Sequence, residues 1–194
     1  MNGDELQSWC LKEGESNYRG QQIFEWMYRH GISSFDDMLN VNKPFREFLR
    51  KNCIIQTLEM EKIYLSKVDK STKIIFRTID NQFIETISMI YGYRHTVCIS
   101  SQVGCSLDCS FCETGRMGLK RNLSTGELVD QLIFVRGHNK QPITNVVFMG
   151  MGEPFHNYNN VINAADIFHS PRGFNLAATR ITISTVGILP KIQQ

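Results

Sequence analysis

Three cysteines within a short stretch constrain this chain more than any other feature of its sequence. They lie in Cys105-Ser-Leu-Asp-Cys109-Ser-Phe-Cys112, so that three residues separate the first two thiols and two residues separate the last two. A loop with this spacing can bind three irons of a 4Fe-4S cluster and leave the fourth iron without a protein ligand. The spacing therefore predicts an iron-sulfur cluster with one open iron.

A structural zinc site and a disulfide framework are the alternative interpretations of these cysteines. Structural zinc takes four Cys or His ligands, and the flanking histidines, His95 and His138, lie outside the loop. Six cysteines in 194 residues are few for a disulfide-stabilised secreted domain, and the start MNGDELQSWC lacks the basic and apolar segments of a signal peptide. We therefore expect free thiols and a cytoplasmic location.

Two apolar segments after the cysteines each run into a short polar loop. Residues 142–149 predict a strand that leads into Gly150-Met-Gly152-Glu153-Pro154, and residues 179–185 predict a strand that ends in Ser184-Thr-Val-Gly. Helical patterns separate these strands, which gives the order β-α-β-α-β. In parallel α/β folds, ligands bind beyond the carboxyl ends of the strands. We expect the cysteine loop and both polar loops at one edge of a sheet.

Together these motifs resemble those of the radical S-adenosylmethionine (radical SAM) enzymes. Two stretches, Cys98-Ile-Ser-Ser-Gln-Val-Gly-Cys105 and Ile143-Thr-Asn-Val-Val-Phe-Met-Gly-Met-Gly-Glu-Pro154, are similar to the RlmN/Cfr family of RNA adenine methyltransferases, and more to its RlmN branch. The similarity extends over essentially the whole chain. It implies an α/β fold: a partial radical SAM (βα) barrel preceded by a small helical module and a short antiparallel β segment.

The hydrophobic pattern and the resemblance divide the chain into three parts. Residues 1–55 have helical periodicity; the resemblance assigns this module to RNA recognition, whereas its aromatic positions taken alone indicate a core. Residues 56–92 alternate with period two and predict a β-hairpin segment. Residues 93–194 form the radical SAM core, which we expect to be an incomplete barrel because the chain ends after its third strand.

The resemblance implies two cofactors, a 4Fe-4S cluster and S-adenosylmethionine. Gly152 and Glu153 would engage the amino end of S-adenosylmethionine, and Ser184 would hydrogen-bond its ribose. The cluster ligands would be Cys105, Cys109 and Cys112.

Glu85 and Cys98 are the two candidate catalytic residues. Glu85 shares a predicted strand face with apolar residues, and this pattern has two interpretations. It is either a glutamate on an edge strand, or a carboxylate held in a pocket, where desolvation raises its pKa towards that of a general base. It lies thirteen residues before Cys98, where the family has its proton acceptor. A lone strand cysteine is usually a small buried hydrophobe. The resemblance instead implies that Cys98 resolves a protein–RNA adduct through a disulfide bond.

That mechanism uses a second cysteine near the carboxyl terminus, and here no cysteine follows Cys112. Cys10 and Cys53 are predicted to be structural. We therefore expect a fragment of a longer protein that cannot methylate RNA by itself. The other hypotheses are a C8-specific Cfr-like enzyme, a radical SAM enzyme with another substrate, and a non-catalytic RNA-binding or cluster-carrying protein.

Charge alone does not identify the partners. The net charge is +2, with 7 basic and 9 acidic residues in 1–60 against 14 and 10 in 61–194. The resemblance implies ribosomal and transfer RNA as substrates and an electron donor such as flavodoxin or ferredoxin. No run of about eighteen apolar residues is present, so no membrane partner is expected. Two basic groups are candidate RNA contacts or merely solvated faces: Arg116, Lys120 and Arg121 beside the cysteines, and Arg46, Arg50 and Lys51 on a helix.

Overall fold

The computed structural model describes all 194 residues and begins with a helical module. Its elements are α1 (Gly3–Lys12), α2 (Tyr18–Phe24) with a π-helical continuation (Glu25–His30), a 3-10 turn (Phe35–Asp37) and α3 (Lys43–Asn52). Asn2 and Glu5 form a capping box at the start of α1, and Gly31, at φ 63°, ends the second helix in the left-handed conformation that glycine adopts without strain.

The aromatic residues of this module form its core. Trp9 stacks near Phe45 and Phe48, with ring centroids 6.3 Å away in both pairs. Helices α1 and α2 touch at Gly20, where a Cβ atom would lie 2.4 Å from the backbone nitrogen of Gln7. These contacts agree with the core interpretation of the aromatic pattern, while the assignment of the module to RNA recognition stays a prediction.

Eight strands and four further helices follow the module. In chain order they are β1 (Leu58–Leu65), β2 (Thr72–Thr78), β3 (Phe83–Tyr91), β4 (Arg94–Cys98), β5 (Gln102–Val103), α4 (Glu113–Arg116), β6 (Arg121–Asn122), α5 (Thr125–His138), β7 (Asn145–Phe148), α6 (Tyr158–His169), β8 (Ile181–Ile183) and α7 (Leu189–Ile192). Strands β5 and β6 pair with each other, and the other six form one sheet in the order β1-β2-β3-β4-β7-β8.

The strand pairing in the sheet changes from antiparallel to parallel at β4. Strands β1 to β4 are antiparallel neighbours, whereas β4 pairs parallel with β7 and β7 pairs parallel with β8. This mixed α/β arrangement, with a helical module, an antiparallel segment and parallel strands joined by helices, agrees with the fold class expected from the sequence. The antiparallel β segment is continuous with the parallel strands rather than a separate hairpin.

Helix α5 covers one face of the sheet. It begins with a capping box, in which Ser124 and Glu127 bond each other's backbone amides. On its buried side, Gln131 accepts hydrogen bonds from the Thr86 hydroxyl (2.7 Å) and the Ser100 amide (2.8 Å). Gln131 therefore ties the helix to β3 and to the segment after β4.

Arg136, near the end of α5, attaches the helical module to the core. Its guanidinium donates to the backbone oxygen of Tyr28 (2.7 Å) and lies over the ring of Phe174 (4.4 Å). None of the helices combines the length and apolar character needed to cross a membrane.

Candidate active site

Three loops meet at one edge of the sheet because the strands that precede them are parallel neighbours. Cys98 on β4 is in register with Val147 on β7, and Phe148 on β7 is in register with Ile183 on β8. The cysteine loop (104–119), the loop of Gly150 to Pro154 (the Gly-Glu-Pro loop) and the loop of Ser184 to Gly187 (the β8 loop) therefore emerge side by side. This is the arrangement expected from the sequence.

The base of the cysteine loop is closed by backbone contacts. Lys120 donates its amide to the Val103 oxygen (2.9 Å), and Cys105 donates to the Gly118 oxygen (3.3 Å). Gly104 has a φ of 75°, and a Cβ atom there would lie 1.8 Å from the Gly118 oxygen. Only glycine fits this position, because any side chain would clash with the returning backbone.

The three thiols lie on this loop but are not gathered around one point. Cys105 is buried, Cys109 and Cys112 are partly exposed, and all are free. The Leu107 amide donates to the Cys105 sulfur (3.4 Å). No group of three or more Cys, His, Asp or Glu side chains is placed to hold a metal ion. The donor set, three free thiols on one closed loop, fits the cluster in kind, and the predicted role of these cysteines stays a prediction.

Contacts with the segment after β4 shape the Gly-Glu-Pro loop. Met151 receives a hydrogen bond from the Ser101 amide (2.8 Å) on its oxygen and donates its amide to the Ser100 hydroxyl (3.0 Å). Gly152 has a φ of 97°, and a Cβ atom there would lie 2.5 Å from the Cβ of Gln102. The backbone of this loop is therefore held by the residues that lead into the cysteine loop.

Glu153 is buried, with 3% of its surface exposed. Its carboxylate accepts hydrogen bonds from the Phe155 amide (2.9 Å), the Thr185 hydroxyl (2.7 Å) and the Val186 amide (3.0 Å). Ser184, directly after β8, has an exposed side chain. The structure brings these residues onto adjacent loops, and their contacts with S-adenosylmethionine stay a prediction.

Cys98 and Glu85 lie on the open face of the sheet, opposite α5. Cys98 is directly across from Ile87 on β3, two residues from Glu85. Burial raises the pKa of the Cys98 thiol, and the Met149 amide partly offsets this by hydrogen-bonding it. The two candidate catalytic residues are thus near neighbours.

The Glu85 carboxylate is not enclosed in a pocket. Its side chain is 43% exposed, forms an ion pair with Lys73 at 3.0 Å and opens onto a groove of about 520 Å³. Glu85 is therefore neither a desolvated carboxylate in a pocket nor an edge-strand residue, because β3 lies between β2 and β4. It is exposed because this face of the sheet is open. The role of Glu85 as proton acceptor stays a prediction.

Arg121 is a structural residue rather than a free RNA contact. Its guanidinium lies between Asp80 (2.6 Å) and Glu127 (2.8 Å), and this hydrogen bonding holds the pKa of Asp80 well below its usual range. It thereby joins the β2–β3 turn to the strand that closes the cysteine loop. On α3, Arg50 forms an ion pair with the Asp36 carboxylate (3.1 Å), and Arg46 donates to the backbone oxygen of Asp36 (2.6 Å). Of the two basic groups, Lys51 and Lys120 keep exposed side chains without an acidic partner.

Sequence reasoning missed the residues that connect the loops, Gln102 and Thr185. Gln102 precedes the cysteines and its amide side chain bonds the Glu153 backbone (2.8 Å) and Asn122 (2.7 Å). Thr185 belongs to the Ser-Thr-Val-Gly motif, but that motif assigns a role only to Ser184. Neither position had a sequence signal of its own, because each acts through a partner distant in the chain.

Two family descriptions match the sequence. Residues 1–55 match the "Ribosomal RNA large subunit methyltransferase N-terminal domain", and residues 99–194 match the "Radical SAM superfamily". The two matches fall on the helical module and on the part of the sheet that carries the three loops.

Individual relatives give the same result over nearly the whole chain. A "Probable dual-specificity RNA methyltransferase RlmN" of Clostridium beijerinckii is 40% identical over 191 residues, covering 98% of this chain and 54% of the relative. A "Dual-specificity RNA methyltransferase RlmN" of Geotalea uraniireducens is 40% identical over 190 residues, covering 98% of this chain and 54% of the relative. The chain thus spans about half the length of the curated relatives it matches.

A solved structure is also similar. It is described as "Crystal Structure of a radical SAM methyltransferase from Sphaerobacter thermophilus" and superposes with a TM-score of 0.90 at 40% sequence identity. The superposition covers 99% of this chain and 57% of the other. Both the helical module and the mixed sheet are therefore shared with a known radical SAM methyltransferase.

Proposed function

The chain belongs to the RlmN family of the radical SAM superfamily, and on that premise we propose that it forms the cofactor-binding part of an RNA methyltransferase. The proposed target is C2 of adenine in 23S ribosomal RNA and in transfer RNA. The observation that carries the proposal is the convergence of the cysteine loop, the Gly-Glu-Pro loop and the β8 loop at one sheet edge.

Membership in the superfamily implies a 4Fe-4S cluster and S-adenosylmethionine as cofactors. The proposed cluster ligands are Cys105, Cys109 and Cys112. When bound, the pair supplies one-electron cleavage of the sulfonium and hence a radical that can abstract hydrogen. This chain's own residues position the cofactors: Gly152, where a side chain would clash with Gln102, lets the Gly-Glu-Pro loop pack against the segment after β4, and Ser184 offers an exposed hydroxyl at the end of β8.

Cys98 and Glu85 supply the acid–base and thiol chemistry in this proposal. Cys98 immediately precedes the segment that leads into the cysteine loop, and Glu85 lies on the neighbouring strand of the same face. Glu85 accepts the proton that the adenine carbon loses, and its ion pair with Lys73 fixes the carboxylate. The Cys98 thiolate attacks the sulfur of the second cysteine, which is bonded to the methylene carbon on the adenine: the S–S bond forms, the C–S bond breaks, and its electron pair goes to the methylene carbon, which takes up a proton and leaves as the methyl group of the product.

That second cysteine is not Cys10 or Cys53 in this proposal. Cys10 is fully buried in the helical module, and burial raises its pKa to about 11, so that it is a poor nucleophile. The second cysteine is instead proposed to lie in the portion of the relatives that the chain does not match. Proposed partners are the RNA substrates and a flavodoxin or ferredoxin as electron donor, in the cytoplasm.

The test joins residues 1–194 to the unmatched carboxyl-terminal part of the Geotalea uraniireducens relative. After anaerobic reconstitution and incubation with ribosomal and transfer RNA, mass spectrometry of the digested RNA should detect 2-methyladenosine. Product methylated at C8 would reassign the chain to Cfr-like chemistry. Cluster assembly without any methylated adenosine would leave a non-catalytic cluster carrier and contradict the proposal.

A thiol variant of the joined protein tests the role of Cys98. Cys98→Ala should accumulate a covalent protein–RNA adduct that denaturing electrophoresis resolves, because no thiol remains to release the product. Cys53→Ala is the matched control and should turn over normally. Normal turnover by the Cys98 variant would return this residue to a structural role.

A further inference from the structure

The carboxylate of Glu153 connects two loops of the active site. It accepts hydrogen bonds from Phe155 on its own loop and from Thr185 and Val186 on the β8 loop. One oxygen is taken by the Phe155 amide and the Thr185 hydroxyl, and the other by the Val186 amide. Each oxygen of the Glu153 carboxylate therefore accepts a hydrogen bond from the β8 loop, and the carboxylate points towards that loop.

Such an arrangement is strong because the carboxylate is buried and all its partners are donors. Hydrogen bonds to a charged group are roughly twice as strong as those between neutral groups. Removing a donor leaves a buried acceptor unsatisfied and adds a desolvation cost. The two loops are therefore held against each other by the polypeptide itself.

The backbone of Glu153 extends the connection to the third loop. Its amide donates to the Gln102 side chain (2.8 Å), and Gln102 in turn donates to Asn122 (2.7 Å) on the strand that closes the cysteine loop. Asn122 also donates to the backbone oxygen of His156, just beyond the Gly-Glu-Pro loop (3.2 Å). Glu153 thus lies where all three loops join.

We propose that Glu153 and Thr185 form a positioning pair that sets the spacing between the Gly-Glu-Pro loop and the β8 loop. The carboxylate then acts through Thr185 and Val186, and the backbone of residues 150–153 is left to face the ligand. That the ligand is S-adenosylmethionine rests on the proposed function, whereas the link between the loops does not. The family resemblance instead predicts that Glu153 contacts the cofactor directly.

The first experiment measures amide hydrogen exchange in a peptide covering residues 184–188, without any cofactor. Thr185→Val removes the hydroxyl that donates to Glu153 and that also accepts from the Gly187 amide (3.2 Å). The readout is therefore the Val186 amide, which donates to Glu153, and its exchange should accelerate by about tenfold or more. Thr185→Ser keeps the hydroxyl and should retain wild-type protection. Thr182→Val, an exposed change of the same kind on β8, is the control and should have no effect. Wild-type protection in Thr185→Val, or loss of protection in Thr185→Ser with circular dichroism unchanged, would overturn the pair.

The second experiment is a double-mutant cycle on binding of S-adenosylmethionine to the anaerobically reconstituted chain. Glu153→Ala and Thr185→Val should each weaken binding about tenfold, and the double variant should be no weaker than Glu153→Ala alone, because both break one link. Independent effects that multiply to about a hundredfold would mean that Glu153 binds the ligand directly and would overturn the proposal. If the wild-type chain binds no cofactor, the proposed function fails, and the exchange experiment alone decides the link.

Discussion

The two polar loops and the tip of the cysteine loop lie at the same sheet edge but are held in different ways. Glu153, at the centre of the first region, has 3% of its surface exposed and three hydrogen-bond donors. In the second region, Phe111 is 90% exposed, and Cys109 and Cys112 are partly exposed. One region is built by hydrogen bonds within the chain, and the other presents side chains outward.

The difference assigns separate tasks to protein and metal. The chain alone forms the loops proposed for S-adenosylmethionine and the base of the cysteine loop. The thiols are donors whose grouping depends on the cluster, since metal binding and local folding are coupled. Substitutions at the tip should therefore lower the metal content and leave the stability of the metal-free chain nearly unchanged. Substitutions at the base should lower that stability.

The largest expected effect is the loss of the cluster from a tip variant. Anaerobically reconstituted chain should bind about four irons and four sulfides, as three-thiolate ligation of a cube requires, and Cys109→Ala should lose them. Its urea-unfolding midpoint without metal should match that of the unchanged chain, because Cys109 packs little. Cys53→Ala is the control and should keep its iron. Elemental analysis that finds one zinc and no iron would contradict this account of the tip.

A substitution at the loop base should have the next largest effect. Gly104→Ala forces a strained φ and a Cβ clash with Gly118, and it should lower the free energy of unfolding by about 3 kcal/mol or more. Gly14→Ala is the matched control, since Gly14 has a similar φ of 80° but open space around it. It should cost only about 1 kcal/mol. Equal losses in urea titrations would show that the base is not rigid.

Local motifs predicted much of this molecule. The spacing of the three cysteines and the strands leading into the two polar loops depend on neighbouring residues, so the sequence alone reveals them. The connections between loops depend on pairs such as Glu153 with Thr185, which lie 32 positions apart. The sequence carries no periodic signal for such pairs.

Charge patterns were the least informative part of the sequence. Arg121 looked like a free basic residue beside the cysteines, but its two carboxylate partners come from a turn and a helix that only the fold brings near. Glu85 looked like a carboxylate among apolar residues, but its face of the sheet is open and Lys73 is within reach. Exposure and pairing are properties of the tertiary structure, and spacing does not report them.

A smaller effect is expected at Cys98, the last residue of β4. Burial raises its thiol pKa, so at pH 8 less thiolate is present than for an ordinary cysteine, and iodoacetamide should alkylate it about tenfold more slowly than free cysteine. The rate should continue to rise above pH 9. Mass spectrometry of timed reactions at several pH values provides the rates. Alkylation as fast as that of free cysteine at pH 8 would place Cys98 in an open environment.

The most direct test of the central claim is the electron paramagnetic resonance spectrum of the reduced, reconstituted chain before and after adding S-adenosylmethionine. If the three loops form one site, the cofactor's amino and carboxylate groups reach the open iron and the spectrum changes. Glu153→Ala should weaken this response at the same iron content. A spectrum unchanged by the cofactor in a chain that holds its full cluster would show that the loops do not form the proposed site.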